Sequence, residues 1–179
     1  MSASSATPPS KPVSVLFVCL GNICRSPMAE GVFQHLTKPP GETHHPRVDR
    51  IDSCGTAGYH AGDPPDSRTM STLSDNGITA YRHEARRFDP DDFRAFDYIF
   101  AMDRSNLSDL KRLRTRFVKH EAVAEEELGK LLMWGEFNGR TAKAEEVIDP
   151  YYGGKDGFDI VFEQMTRFSK HFLKHLEDA

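Results

Sequence analysis

A chain of 179 residues, 38% hydrophobic and 28% charged, has the size of one compact domain and can bury a core without disulfide or metal staples. A net charge of −4 provides no general attraction to nucleic acid or to an anionic membrane, so any affinity for phosphate has to be local. Three cysteines, two of them five positions apart, make a poor disulfide framework and point to a reducing, cytoplasmic setting. No apolar run approaches the roughly 18 residues of a membrane span.

The opening MSASSATPPSKP is small, polar and proline-rich, with neither the apolar stretch of a signal peptide nor the arginines of a transit segment. Residues 1–12 are therefore expected to form a disordered tail, and residues 13–179 one domain. Val13 to Leu20 reads as a buried strand, being short, apolar and valine-rich. Ser26-Pro27 reads as a helix start, with Ser at the cap and Pro at the first helical position. Met28, Val32, Phe33 and Leu36 continue at helical spacing until Pro39-Pro40-Gly41. Val48 to Ser53 alternates like a second strand, and Cys54 to Asp63 is a glycine-rich loop. Pro65 to Asn76 is an expected helix with Gly77 just beyond it.

Phe96 to Met102 reads as a third strand, followed by a helix opening near Asp103 and ending near Arg114. Glu121 to Glu127 is acidic and expected to be solvated, and Leu131 to Trp134 is a fourth strand candidate. Phe158, Phe162, Met165, Phe168, Phe172 and Leu176 form the stripe of a long final helix. Strands alternating with helices predict an α/β three-layer sandwich: a four-stranded, mainly parallel sheet with helices on both faces. Ligands of such sheets sit at the carboxyl ends of the strands.

The stretch CLGNICRSP, Cys19 to Pro27, occupies that edge after the first strand. A loop there could be a metal site, a redox pair, an anion cradle or only a turn. Zinc fails on ligand count, and C-x4-C is not the usual redox spacing. An anion cradle fits better. Gly21 permits backbone conformations closed to other residues, and a loop curling into a helix start aims successive N–H groups into one concavity. Arg25 adds a planar fork for two phosphate oxygens. The same field favours the thiolate form of Cys19, and the Ser26 hydroxyl could donate to it. A bare C-x5-R is a weak signal; the apolar strand before it and the Ser-Pro start after it strengthen it. Taken alone, Asp149 before Pro150 is a turn residue, His83 a structural histidine, Cys24 a small loop filler, and Tyr59 and Tyr151 partly packed aromatics. His44-His45 has no cysteine or acidic partner at metal spacing and reads as solvated.

VLFVCLGNICRSPMAEGVF resembles the signature of the low-molecular-weight protein tyrosine phosphatases, and DPYYGG, Asp149 to Gly154, resembles a second element of that family. IDSCGTAGYHAGDPPDSR, GITAYRHEAR and FDYIFAMDRSNLSDL extend the resemblance from about Val13 to Leu176. It implies a phosphoric monoester hydrolase in which Cys19 attacks phosphorus and becomes a phosphocysteine. Backbone amides of Leu20, Gly21, Asn22, Ile23 and Cys24, with Arg25, would hold the oxygens, and Ser26 would serve the thiolate. Asp149 would protonate the leaving oxygen and then activate water. Tyr59 and Tyr151 would flank the substrate ring, and Asn22, Ser53 and His83 would support the loop. Cys24 would pair with Cys19 under peroxide, and Asp103 is read as structural.

The resemblance further implies no metal and no cofactor. Expected partners are phosphotyrosine proteins and small aryl phosphates, with phosphate or other oxyanions as inhibitors, and neither nucleic acid nor membrane. Two departures stand out: Cys54 where a small residue is expected, and residues 121–129, which look like a local insertion. Arsenate reductases share the loop but need further downstream cysteines, which this chain lacks. Protein-arginine phosphatases carry threonine at the position of Ile23. A non-catalytic phosphate-binding module would be signalled by loss of the nucleophile or acid, and Cys19, Arg25 and Asp149 are all present.

Overall fold

The computed structural model describes residues 10–154 and 156–179, so most of the expected 1–12 tail lies outside the described residues. Four strands, β1 (Val13–Cys19), β2 (Val48–Gly55), β3 (Tyr98–Ala101) and β4 (Lys130–Met133), form one sheet in the order β2-β1-β3-β4. Every pairing is parallel, with Cys19 beside Gly55 and Val18 beside Ala101. The helices are α1 (Arg25–Thr37), α2 (Ser67–Asp75), α3 (Asp92–Ala95), α4 (Arg104–Glu121) and α5 (Asp156–Asp178). No helix among the described residues is long and apolar enough to cross a membrane.

Alternation along the strands splits the core into two layers. Val15, Phe17 and Cys19 of β1 face the layer covered by α1 and α5, with Tyr98 and Phe100 of β3. Leu16 and Val18, with Ile99 and Ala101, face the layer that contains Phe93, Leu110 and Phe117 of α3 and α4. Trp134, fully buried, is the hub of the first layer, its ring 4.6 Å from Phe100 and 4.9 Å from Phe17 between centroids. Each such aromatic pair adds about 0.5–1.5 kcal/mol beyond area burial. The α5 stripe closes this cluster, with Phe168 and Phe172 fully buried against Trp134.

Several element ends differ from expectation. Helix α1 begins at Arg25, with Cys24 at the cap and no side-chain cap bond, rather than with Ser26 at the cap. Ser26 is buried, and its hydroxyl is bound within the loop instead of turning to the helix end. Helix α4 runs seven residues past Arg114, to Glu121, because Phe117 packs on Phe93 and prolongs the apolar face. The short α3 was not anticipated; Asp92 is buried there and pairs with Arg86 at 2.9 Å. The acidic stretch is exposed as expected at 125–127, but Leu128 buries in the second layer and anchors the end of the 121–129 segment. His45 departs from a solvated role, since its ring lies 3.1 Å from Glu177 of α5.

Candidate active site

The loop 20–24 leaves β1 at the carboxyl edge of the sheet and enters α1. Its carbonyls point outwards: Cys19, Leu20, Ile23 and Cys24 accept, respectively, from the Thr56, Ala57 and Asp66 amides and the Thr69 hydroxyl. No backbone N–H from Leu20 to Cys24 donates to a protein acceptor among the described residues. Buried donors such as those of Asn22 and Cys24 need a partner. Outward carbonyls therefore leave a concave face of amides that suits an oxyanion. Asn22 makes the curl possible by adopting φ 58°, the left-handed region that asparagine tolerates better than most residues.

That strained residue is held from behind by a network of Ser26, Ser53 and His83, of which the family resemblance implied Ser53 and His83. The Asn22 amide donates to Ser26 Oγ at 2.8 Å and to Ser53 Oγ at 2.9 Å. Its carbonyl oxygen lies 2.7 Å from His83 Nε2 and accepts from the Arg86 amide at 3.1 Å. Sequence reading missed the next layer. Glu30, on the buried face of α1, accepts from Ser53 at 2.8 Å and Tyr81 at 2.7 Å, and lies 3.3 Å from His83. Burial pushes the Glu30 carboxyl up to about 7, against the Tyr81 and Ser53 hydrogen bonds that hold it down. Burial likewise lowers His83, whose Nδ1 faces the Glu30 carboxyl at 3.3 Å.

Cys19 Sγ is 3.1 Å from Ser26 Oγ. Because Asn22 donates to that oxygen, the single Ser26 hydrogen is free for the sulfur, with the Cys54 carbonyl at 3.3 Å as its competitor. The Arg25 guanidinium is buried and donates to Asp103 at 2.6 Å and to the Val147 carbonyl at 3.0 Å; Asp149 lies 3.7 Å from its other nitrogen. Burial disfavours the Arg25 cation, but the Cys19 sulfur, Asp103 and Asp149 outweigh it and raise its pKa. Asp103 is thus more than structural: one oxygen caps α4 through the Asn106 amide and the other orients Arg25.

Asp149 accepts from the Tyr151 amide at 3.0 Å and caps the 3-10 turn Pro150–Tyr152, a third exposed at the cavity rim. Arg68 steadies this turn by reaching the Tyr151 carbonyl at 3.3 Å and lying over the Tyr151 and Phe158 rings, while Asp66 holds its other side. The cavity, about 160 Å³, is lined by Cys19, Leu20, Gly21, Ile23, Cys24, Arg25 and Asp149, with Tyr59, Tyr151 and Tyr152 at the rim. His60, which the sequence did not flag, lines it too, against Gly21. The other two cysteines are set apart chemically. Burial, then the charges of Asp66 and Asp149, push the Cys24 thiol up to about 12, and complete burial drives Cys54 well above the ordinary thiol range.

Residues 14–179 match the family model described as low molecular weight phosphotyrosine protein phosphatase. The low molecular weight phosphotyrosine protein phosphatase of Schizosaccharomyces pombe is 45% identical over 166 residues, covering 93% of this chain and 98% of that protein. A protein tyrosine phosphatase from Entamoeba histolytica, crystallised with Hepes in its active site, superimposes with a TM-score of 0.76 at 33% identity, over 93% of this chain and 97% of that one. A drosophila arginine phosphatase superimposes with the same TM-score and identity, over 90% and 96%. A three-layer α/β domain with a cysteine and an arginine in an amide-lined cradle, and only Cys24 and Cys54 besides, fits a cysteine-type phosphatase. The chain belongs to the low-molecular-weight phosphotyrosine protein phosphatase family.

Proposed function

We propose that residues 13–179 form a cytoplasmic phosphatase domain that hydrolyses phosphotyrosine and small aryl phosphates through Cys19. The observation that carries this reading is the sulfur of Cys19 set under a ring of undonated amides beside the buried Arg25 cation. A bound phosphoryl group would place its oxygens on the amides of Leu20, Gly21, Asn22, Ile23 and Cys24 and on Arg25. Cys19 attacks phosphorus, the aryl oxygen leaves with the proton of Asp149, and a phosphocysteine results. Water then attacks phosphorus, Asp149 takes its proton, and the sulfur leaves as a thiolate that Ser26 stabilises by hydrogen bonding. Tyr59 and Tyr151 at the rim give the cavity a depth suited to an aryl ester, and Asn22, Ser53 and His83 keep the loop curled. Phosphate and other oxyanions inhibit by taking the substrate's place, and Cys24 is the thiol that captures Cys19 once it is oxidised.

A phosphoarginine reading has one observation in its favour, the likeness to the drosophila arginine phosphatase. Ile23 in the cavity wall argues for the aryl substrate, because a branched apolar side chain offers no hydrogen bond to a guanidinium. Hydrolysis of aryl phosphate and of phosphotyrosine, phosphoserine and phosphoarginine peptides, with EDTA present, separates these readings. Phosphotyrosine turnover that vanishes in Cys19→Ser, while phosphate-like ligands still bind, is the expected result. Retained turnover in that variant would sink the covalent mechanism. Asp149→Ala should lose most activity on poor leaving groups and less on good ones; equal losses would remove Asp149 as the acid.

A further inference from the structure

Beside the catalytic cavity lies a second groove of about 430 Å³, between the loop after β2 and the exposed side of α4. It shares Leu20 and Tyr59 with the cavity, so the two are continuous across an exposed apolar saddle. Three arginines line it: Arg87, Arg112 and Arg116, against one carboxylate, Asp109. Asp109 is already taken by Arg112. Arg87 and Arg116 have no carboxylate partner among the described residues. Arg87 is also positioned. Its backbone bridges to Gly55, and its stem lies along Gly58, where an added Cβ would sit 3.5 Å from Arg87 Cδ. Lys111 extends the same basic side along α4. A chain with net charge −4 has thus gathered unpaired cations next to its phosphate site.

We propose that this groove takes an anionic side chain, a carboxylate or a second phosphate, from the same peptide whose phosphotyrosine enters the catalytic cavity. An extended peptide advances about 3.4 Å per residue, so a residue a few positions from the phosphotyrosine crosses the Leu20–Tyr59 saddle. Opposite charge there raises both encounter rate and residence, and is screened by salt. This specificity rests on the phosphotyrosine reading above.

The test is kcat/KM on matched phosphotyrosine peptides whose flanking positions carry Ala, Glu, phosphoserine or Lys, in low salt and in 0.5 M NaCl. The acidic peptides should be preferred over the Ala peptide by about 5-fold at low salt, with the Lys peptide disfavoured and the preference shrinking at high salt. The Glu and phosphoserine arms tell which anion the groove prefers. Arg87→Gln/Arg112→Gln/Arg116→Gln should abolish the preference while aryl phosphate turnover persists, and Arg116→Gln alone should reduce it. Equal turnover of all four peptides by the unaltered protein overturns the proposal and leaves the phosphatase reading intact. Absent turnover of every peptide and of aryl phosphate overturns both. Salt-sensitive binding of a free oligonucleotide with no peptide preference would assign the face to nucleic acid and also overturn it.

Discussion

Asp103→Asn isolates the hold on Arg25 from the fold around it. The Asp103–Arg25 contact is 2.6 Å, with the arginine side chain 4% exposed and the carboxylate 25% exposed. A charge-assisted hydrogen bond in such a setting contributes about 1.5–3 kcal/mol. Asparagine is as good a helix cap as aspartate, so the bond from the Asn106 amide survives and α4 keeps its start. Arg25 loses its nearest carboxylate and turns towards Asp149, now 3.7 Å away, which draws the fork off the cradle and engages the acid in an ion pair. If the whole contact is expressed in the transition state, the loss in kcat/KM on an aryl phosphate is about 10- to 150-fold, at about 1.36 kcal/mol per decade. Asp103→Ala should match that catalytic loss and also lose the cap, about 1 kcal/mol or a few degrees of Tm by thermal denaturation. Asp103→Asn activity within twofold of the unaltered protein would refute the claim that Asp103 orients Arg25.

The buried carboxyl behind the loop makes stability depend on pH. Glu30 titrates near 7 in the folded chain against an ordinary 4.5, so between those values the native state holds more protons than the unfolded one. Its contribution to stability is therefore highest below about 4.5 and is lost as pH rises through about 7, by an amount on the order of 3 kcal/mol. Glu30→Gln should flatten that part of the urea-unfolding profile, and an unchanged slope would place the titration elsewhere. Gly55→Ala should damage the cradle through its floor, since an added Cβ would lie 2.6 Å from the Leu20 carbonyl. Backbone cannot yield cheaply there; the expected cost is about 1–3 kcal/mol with a fall in kcat, read by thermal denaturation and aryl phosphate turnover.

Much of this was legible from local pattern. Runs such as Val13–Val18 and the Phe158–Leu176 stripe carry their period in the sequence, and burial on one face enforces it. Cys19, Gly21 and Arg25 announce the cradle because they lie within one turn of chain, where spacing alone dictates proximity. The family resemblance implied Asp149, Ser53 and His83, and the fold places all three around the loop. Helix ends were less legible. Ser26 looks like a cap in every local respect, yet its hydroxyl is engaged by the Cys19 sulfur and the Asn22 amide of its own loop and by the Cys54 carbonyl of β2.

The sequence by itself determined the alternation of strands and helices, the parallel sheet and the chemistry at its carboxyl edge, because each follows from residues within a few positions of one another. Only the tertiary structure decided which charges meet. Asp103 reaches Arg25 across 78 residues, Tyr81 reaches Glu30 across 51, and Arg87 shares a groove with Arg116 of another element. An ion pair or a buried hydrogen bond depends on separations of a few ångströms and on the exclusion of water. Those are set by how the layers pack, and no local spacing encodes them.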